Sequence, residues 1–353
     1  MNILPLVEWL GEAPTIALFG LLTGTVFGVA AQRSRFCLRA AVIEFGRGIM
    51  GDRMSVWLLT FSTAMVWVQA AQMFGLMDSS NARIMAVPGS WSGAIIGGLV
   101  FGVGMVLAKG CSGRLLVLAA TGNLRSVVSG LIFAVVAQMS LSGILAPVRD
   151  RIAGLWITSG GRNVDLLAAF GLPDYSGLVI GLGIAAYAMV LSRRNRIGVA
   201  RQVFASGVGF AVALGWVLTY AMSQVAFDPV QIESATFTGP SANTLMFFLD
   251  RHPVLEFDVG LVPGVFLGAF LAALFTRELK FQGFDGPTPM RRSMMGAALM
   301  GFGGMLAGGC AIGAGVTGGS IFVATALTAL LFMWVGALVA DYLLEHPRKA
   351  VTA

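Results

Sequence analysis

The chain has 353 residues, 57% of them hydrophobic and 11% charged, with 47 glycines and a formal net charge of +6. A soluble domain carries about 25% charged residues, and the basic residues here lie between long apolar runs rather than along one stripe. That excludes a soluble enzyme and a nucleic-acid partner and leaves an all-α polytopic membrane protein, in which abundant glycine lets helices pack closely.

Met1 to Pro14 carries Glu8 and Glu12 and no Lys or Arg, so no cleavable signal peptide is expected. A hydrocarbon core about 30 Å thick takes roughly 20 apolar residues per helix. Runs of that kind predict nine transmembrane helices, over 14–32, 55–77, 90–108, 124–147, 176–192, 202–222, 254–275, 293–308 and 321–343. Four more apolar segments, near 36–48, 111–121, 240–250 and 310–320, cover only about 15–20 Å each as helix. They are too short to cross and are expected to be re-entrant or broken half-helices.

With the N-terminus outside and nine crossings, 18 of the 23 basic residues fall inside, including the final pair Arg348 and Lys349. Only Arg83, Arg149, Arg151, Arg162 and Arg251 stay outside. This asymmetry predicts a periplasmic N-terminus and a cytoplasmic C-terminus.

The sequence also repeats. Phe101 to Cys111 reads FGVGMVLAKGC and Met300 to Cys310 reads MGFGGMLAGGC, matching at an offset of 199. The order span, half-helix, span, span, half-helix, span recurs with it. The single membrane domain therefore divides into a first repeat over 14–147, a linking segment with the fifth span over 148–201, and a second repeat of inverted topology over 202–345. Inverted repeats with Gly-interrupted segments point to a transporter or channel with its site near the midplane.

The residues that could carry chemistry sit at those interruptions. Lys109-Gly110-Cys111 and Gly308-Gly309-Cys310 each open a short helix, whose free N–H groups and dipole attract an anion. The plainer reading makes each Cys a small buried filler. Arg33, Arg35 and Arg39 crowd Cys37, as a cytoplasmic anchor or as a mouth that concentrates anions. Around Pro240, Thr236, Thr238 and Ser241 offer hydroxyls for a substrate on the outer side or simply for a helix cap. His252 and His346 are isolated, and no Walker motif is present. Glu44 and Asp341 fall deep in the apolar segments, as proton relays or as ion-paired structural groups.

QRSRFC, KGCSGR, ESATFTGP and GGCAIG resemble the motifs of the YeeE/YedE membrane family, over nearly the whole chain. The resemblance implies a non-enzymatic inner-membrane transporter for a sulfur-containing ion, thiosulfate first, with the family's three cysteines on Cys37, Cys111 and Cys310. Some members handle selenium or other sulfur compounds, and a small cytoplasmic sulfur-carrier protein is a partner that resembling systems imply. The expected translocation residues are Cys37, Cys111, Cys310, Gly110, Gly309, Lys109, Arg35 and Thr238. No cofactor and no metal are expected. Neutral thiols would donate weak hydrogen bonds to the anion in series, and conduction needs weak, multiple sites. A Cu(I) transporter would need methionine arrays beside Met105 and Met305, and an intramembrane sulfurtransferase would need an activated thiol.

Overall fold

In a bilayer core only the chain itself can satisfy its backbone N–H and C=O groups, so apolar runs of this length fold as helices. The computed structural model of the protein describes residues 3–284 and 290–344. In chain order it has α1 (Leu4–Leu10), α2 (Glu12–Ser34), α3 (Leu38–Gly46), α4 (Asp52–Met73), α5 (Arg83–Ala86), α6 (Trp91–Leu107), α7 (Ser112–Ala120) and α8 (Leu124–Leu141). There follow α9 (Ala146–Ala153), α10 (Leu166–Ala169), α11 (Ser176–Arg194), α12 (Val199–Ser223), α13 (Thr238–Leu249), α14 (Phe257–Phe275), α15 (Met290–Leu306), a π-helical segment Ala311–Gly318 and α16 (Ala324–Leu344). Among the described residues, pairing outside helices is limited to four isolated bridges.

Among the described residues, nine helical segments are long and apolar enough to cross a bilayer. They are built on the nine predicted runs, and α3, α7, α13 and the π-helical segment are the four short elements. The protein is an all-α polytopic membrane protein. Two boundaries move for local reasons. The run expected over 124–147 stops at Leu141, because the chain turns at Ser142-Gly143 and resumes as the separate α9. The run expected from 55 begins at Asp52, where the Glu44 carboxylate accepts from the backbone N–H groups of Arg53 and Met54, both at 3.0 Å. Glu44 is thus a cap for α4. Asp341, 4% exposed, pairs with Arg47 at 3.4 Å. Both carboxylates have structural partners. His346, Arg348 and Lys349 lie outside the described residues.

Helix packing relates the two halves. α2 lies along α14, and α12 along α4; α6 lies along α16, and α15 along α8. Each member of these pairs takes the other's place when α2–α3–α4 is matched to α12–α13–α14, and α6–α7–α8 to α15, the π-helical segment and α16. Two matched pairs also touch, α2 with α12 and α6 with α15, and the latter run in opposite directions: Gly93, Gly97 and Gly104 of α6 face Leu306, Gly303 and Gly296 of α15. Small residues make these contacts possible. Gly20, Gly24 and Gly28 of α2 face Phe257, Leu261 and Val265 of α14, and Gly260, Gly264 and Gly268 return the contact on Ala17, Leu21 and Thr25. Any side chain there would strike backbone, so these two parallel helices close on each other through hydrogen atoms alone.

Candidate translocation site

All three cysteines arise from one backbone device. A spanning helix ends with a residue in the left-handed region: Arg35 (φ 56), Lys109 (φ 57) or Gly308 (φ 77). The next N–H reaches back five residues, Phe36 to Ala31 at 3.2 Å, Gly110 to Met105 at 3.1 Å and Gly309 to Gly304 at 2.9 Å. This is the Schellman ending, which satisfies the last carbonyls and reverses the chain. The residue after it is Cys37, Cys111 or Cys310, extended in backbone and standing at the N-cap of α3, α7 or the π-helical segment. Each cysteine is therefore delivered to the positive end of a half-helix dipole. The fourth half-helix, α13, has Phe237 in that place.

These four N-termini meet in the interior. Cys111 and Cys310 are fully buried, and Cys37 is partly exposed. The side chains of Cys37 and Cys111 come close enough to act on each other. Arg114, on the first turn of α7, lies within electrostatic reach of both. The sulfur of Cys310 accepts from the backbone N–H of Gly313 and of Phe237, each at 3.4 Å, and sits 3.9 Å from the Thr236 hydroxyl. Between Cys111 and Cys310 the packing is apolar. Phe237 stacks edge-on against Phe27 with ring centres 5.0 Å apart, and Phe237 and Ile312 both close on Gly113.

Polar atoms border this line without protein partners. The hydroxyls of Ser112 and Thr238 and one terminal nitrogen of Arg114 are buried and unpaired. A buried donor without an acceptor costs about 1–3 kcal/mol, so such atoms suit a transient guest. On the other side of Cys310 a cavity of about 270 Å³ reaches Thr236 and Gly313 and is also lined by Arg83, Glu233, Asn163 and Trp216.

The sequence model of the family described as Sulphur transport matches residues 33–339. The chain belongs to that family. Two relatives span nearly its whole length. A protein of Escherichia coli named thiosulfate transporter TsuA is 28% identical over 363 residues, covering 95% of this chain and 97% of its own. A protein of the same name from Spirochaeta thermophila is 25% identical over 338 residues, covering 90% and 96%.

Within this member of the Sulphur transport family, the expected residues fall into two groups. Cys37, Cys111 and Cys310 come together with the N-termini that carry them. Gly110 and Gly309 close the Schellman endings just before them. Thr238 does not cap α13, since no side chain does, and its buried hydroxyl is unpaired. Lys109 supplies the left-handed turn. Arg35 faces away, 60% exposed and 3.4 Å from Glu278. Sequence reasoning gave no role to Arg83, Arg114, Asp258 or Phe237. The signal that could have found Arg114 is its place three residues after Cys111, one turn into a half-helix.

Proposed function

We propose that this chain takes up a sulfur-containing anion, thiosulfate first, across the bacterial inner membrane, by way of Cys310, Cys111 and Cys37 in that order. The names of the two long relatives support the substrate class. The observation that carries the route is the convergence of three thiols on three half-helix N-termini, with a cavity behind Cys310 and partial exposure at Cys37. A dianion loses its hydration on entering the interior, and the N–H groups and dipoles of those termini replace it. Each S–H adds a weak donor, the unpaired Ser112 and Thr238 hydroxyls serve the anion's oxygens, and the guanidinium of Arg114 draws it past the Phe237–Ile312 constriction. No single site holds it tightly, as passage requires.

The antiparallel matched helices support the reading of 14–147 and 202–345 as inverted repeats, and the bias of basic residues supports a periplasmic cavity side and N-terminus with a cytoplasmic C-terminus. Arg33, Arg35 and Arg39 then lie on the cytoplasmic side beyond Cys37, where a small sulfur-carrier protein collects the ion. Labelled-thiosulfate uptake by proteoliposomes tests the route. Cys37→Ala, Cys111→Ala and Cys310→Ala each lose a hydrogen bond to a charged guest, about 1.5–3 kcal/mol, or tenfold or more in rate. Full uptake by all three variants, correctly inserted, overturns the relay. A persulfide on Cys37, seen by mass spectrometry after exposure to thiosulfate, would turn the reading toward sulfur transfer.

A further inference from the structure

Among the described residues lining the cavity behind Cys310, the one basic side chain is Arg83, and it is already engaged. Its Nε stands 3.2 Å from the carboxylate of Glu233, whose side chain is 13% exposed. Both groups are held in place by backbone. The Arg83 N–H donates to the Ile232 carbonyl at 3.0 Å. The Glu233 carbonyl accepts from the Thr219 hydroxyl at 2.7 Å, and the Glu233 N–H donates to the same oxygen at 3.2 Å. The pair also borders a second hollow, where Glu12, Asp228, Glu256 and Asp258 face it. One oxygen of Asp258 accepts from Asn243 at 2.9 Å, while the other is buried with no partner. One guanidinium thus stands among five carboxyl groups, beside the cavity that adjoins Cys310.

We infer that Arg83 is an outer capture site for a divalent oxyanion, and that Glu233 is its proton-operated gate. This rests on the transport reading above and adds a site outside the line of cysteines. With Glu233 ionised, its carboxylate occupies Arg83 and repels the anion. A proton from the outer water, taken up on the Glu233 carboxylate, frees the guanidinium, and the anion takes the carboxylate's place. No bond other than that O–H forms or breaks. Burial, with the charges of Asp258 and Glu256, raises Glu233 to about 8 against the opposing pull of Arg83. Capture is therefore present below about pH 8 and lost as the pH rises through it. Coupling is reciprocal, so an anion bound at Arg83 draws a proton onto Glu233.

Uptake of labelled thiosulfate is measured at outer pH 6.5 and 9 with wild-type protein, Glu233→Gln and Arg83→Gln. The protonated fraction of a group at pH 8 falls about tenfold over that interval, so wild-type uptake falls about tenfold. Glu233→Gln, which has the shape of the protonated acid and no charge, changes less than twofold. Arg83→Gln is slow at both pH values. Calorimetric titration of thiosulfate into wild-type protein in micelles at pH 8, in buffers of different ionisation enthalpy, needs no variant and reads net proton uptake on binding. Binding without proton uptake, an equal pH slope in Glu233→Gln, or undiminished uptake by Arg83→Gln overturns the inference. Wild-type uptake that is robust but flat with pH sinks the gate and leaves transport standing. No wild-type uptake at any pH removes the transport reading, and the gate with it.

Discussion

Lys109 occupies a left-handed position (φ 57) that glycine fills at the matching Gly308 (φ 77). A β-carbon there costs roughly 1–2 kcal/mol, and the chain accepts that cost while placing a charge two residues before Cys111. Lys109→Gly separates the two effects. It should raise the stability of the detergent-solubilised protein by about 1 kcal/mol, read as a higher unfolding midpoint. If the ammonium helps to attract the anion, uptake falls several-fold in the same variant even though it is the more stable one. Thr238 and Ser112 lie at the opposite extreme, with buried hydroxyls that no protein group satisfies. Thr238→Val should therefore leave the unfolding midpoint within a few degrees while lowering uptake, because the hydroxyl lost has no partner in the empty protein.

The glycine seam between α2 and α14 sets the position of Phe27, and through it the ring of Phe237 beside Cys310. Gly24→Leu would drive a side chain into the Leu261 carbonyl and force the two helices apart. Overpacking of that kind costs about 1–3 kcal/mol or more, so this variant should lose its monodisperse peak in detergent chromatography on mild heating. Gly183→Leu is the control, since nothing lies within 4 Å of Gly183 on α11 and its new side chain meets lipid. The half-helices obey the same logic. Three of them begin where a spanning helix ends in a Schellman turn, which sets Cys37, Cys111 and Cys310 at their N-caps, and the fourth, α13, brings the Phe237 N–H onto the sulfur of Cys310.

At the scale of the whole molecule the halves exchange roles. Each of the four spanning helices of one half lies along a helix of the other, α2 with α14, α4 with α12, α6 with α16 and α8 with α15. Two sides result, one with the Arg83–Glu233 cavity and one with Cys37 and its arginines. The charge bias predicts which faces the cytoplasm. A fluorescent protein fused after Ala353 should fold and fluoresce in cells, and alkaline phosphatase fused within the loop at Gly160 should be active. The reverse pattern would invert the direction of every step proposed above.

Hydropathy and glycine spacing along the sequence were enough for the nine spans, the four short segments and the attention paid to Cys37, Cys111 and Cys310. The bilayer imposes those features locally, through segment length and the backbone's need for internal hydrogen bonds. The matched KGC and GGC turns were legible for the same reason, although the kinship of Arg35-Phe36-Cys37 with them appears only in the backbone angles. Pairings between distant residues were not legible. The Cys37–Cys111 contact, the partnership of Arg83 with Glu233 and the burial of Asp258 beside them all depend on which helices adjoin. So does the departure of Arg35 toward Glu278. Hydrophobicity decides that a segment enters the membrane. The fit of glycine against backbone, which carries no hydrophobic signal between helices already in lipid, decides which segment it meets there.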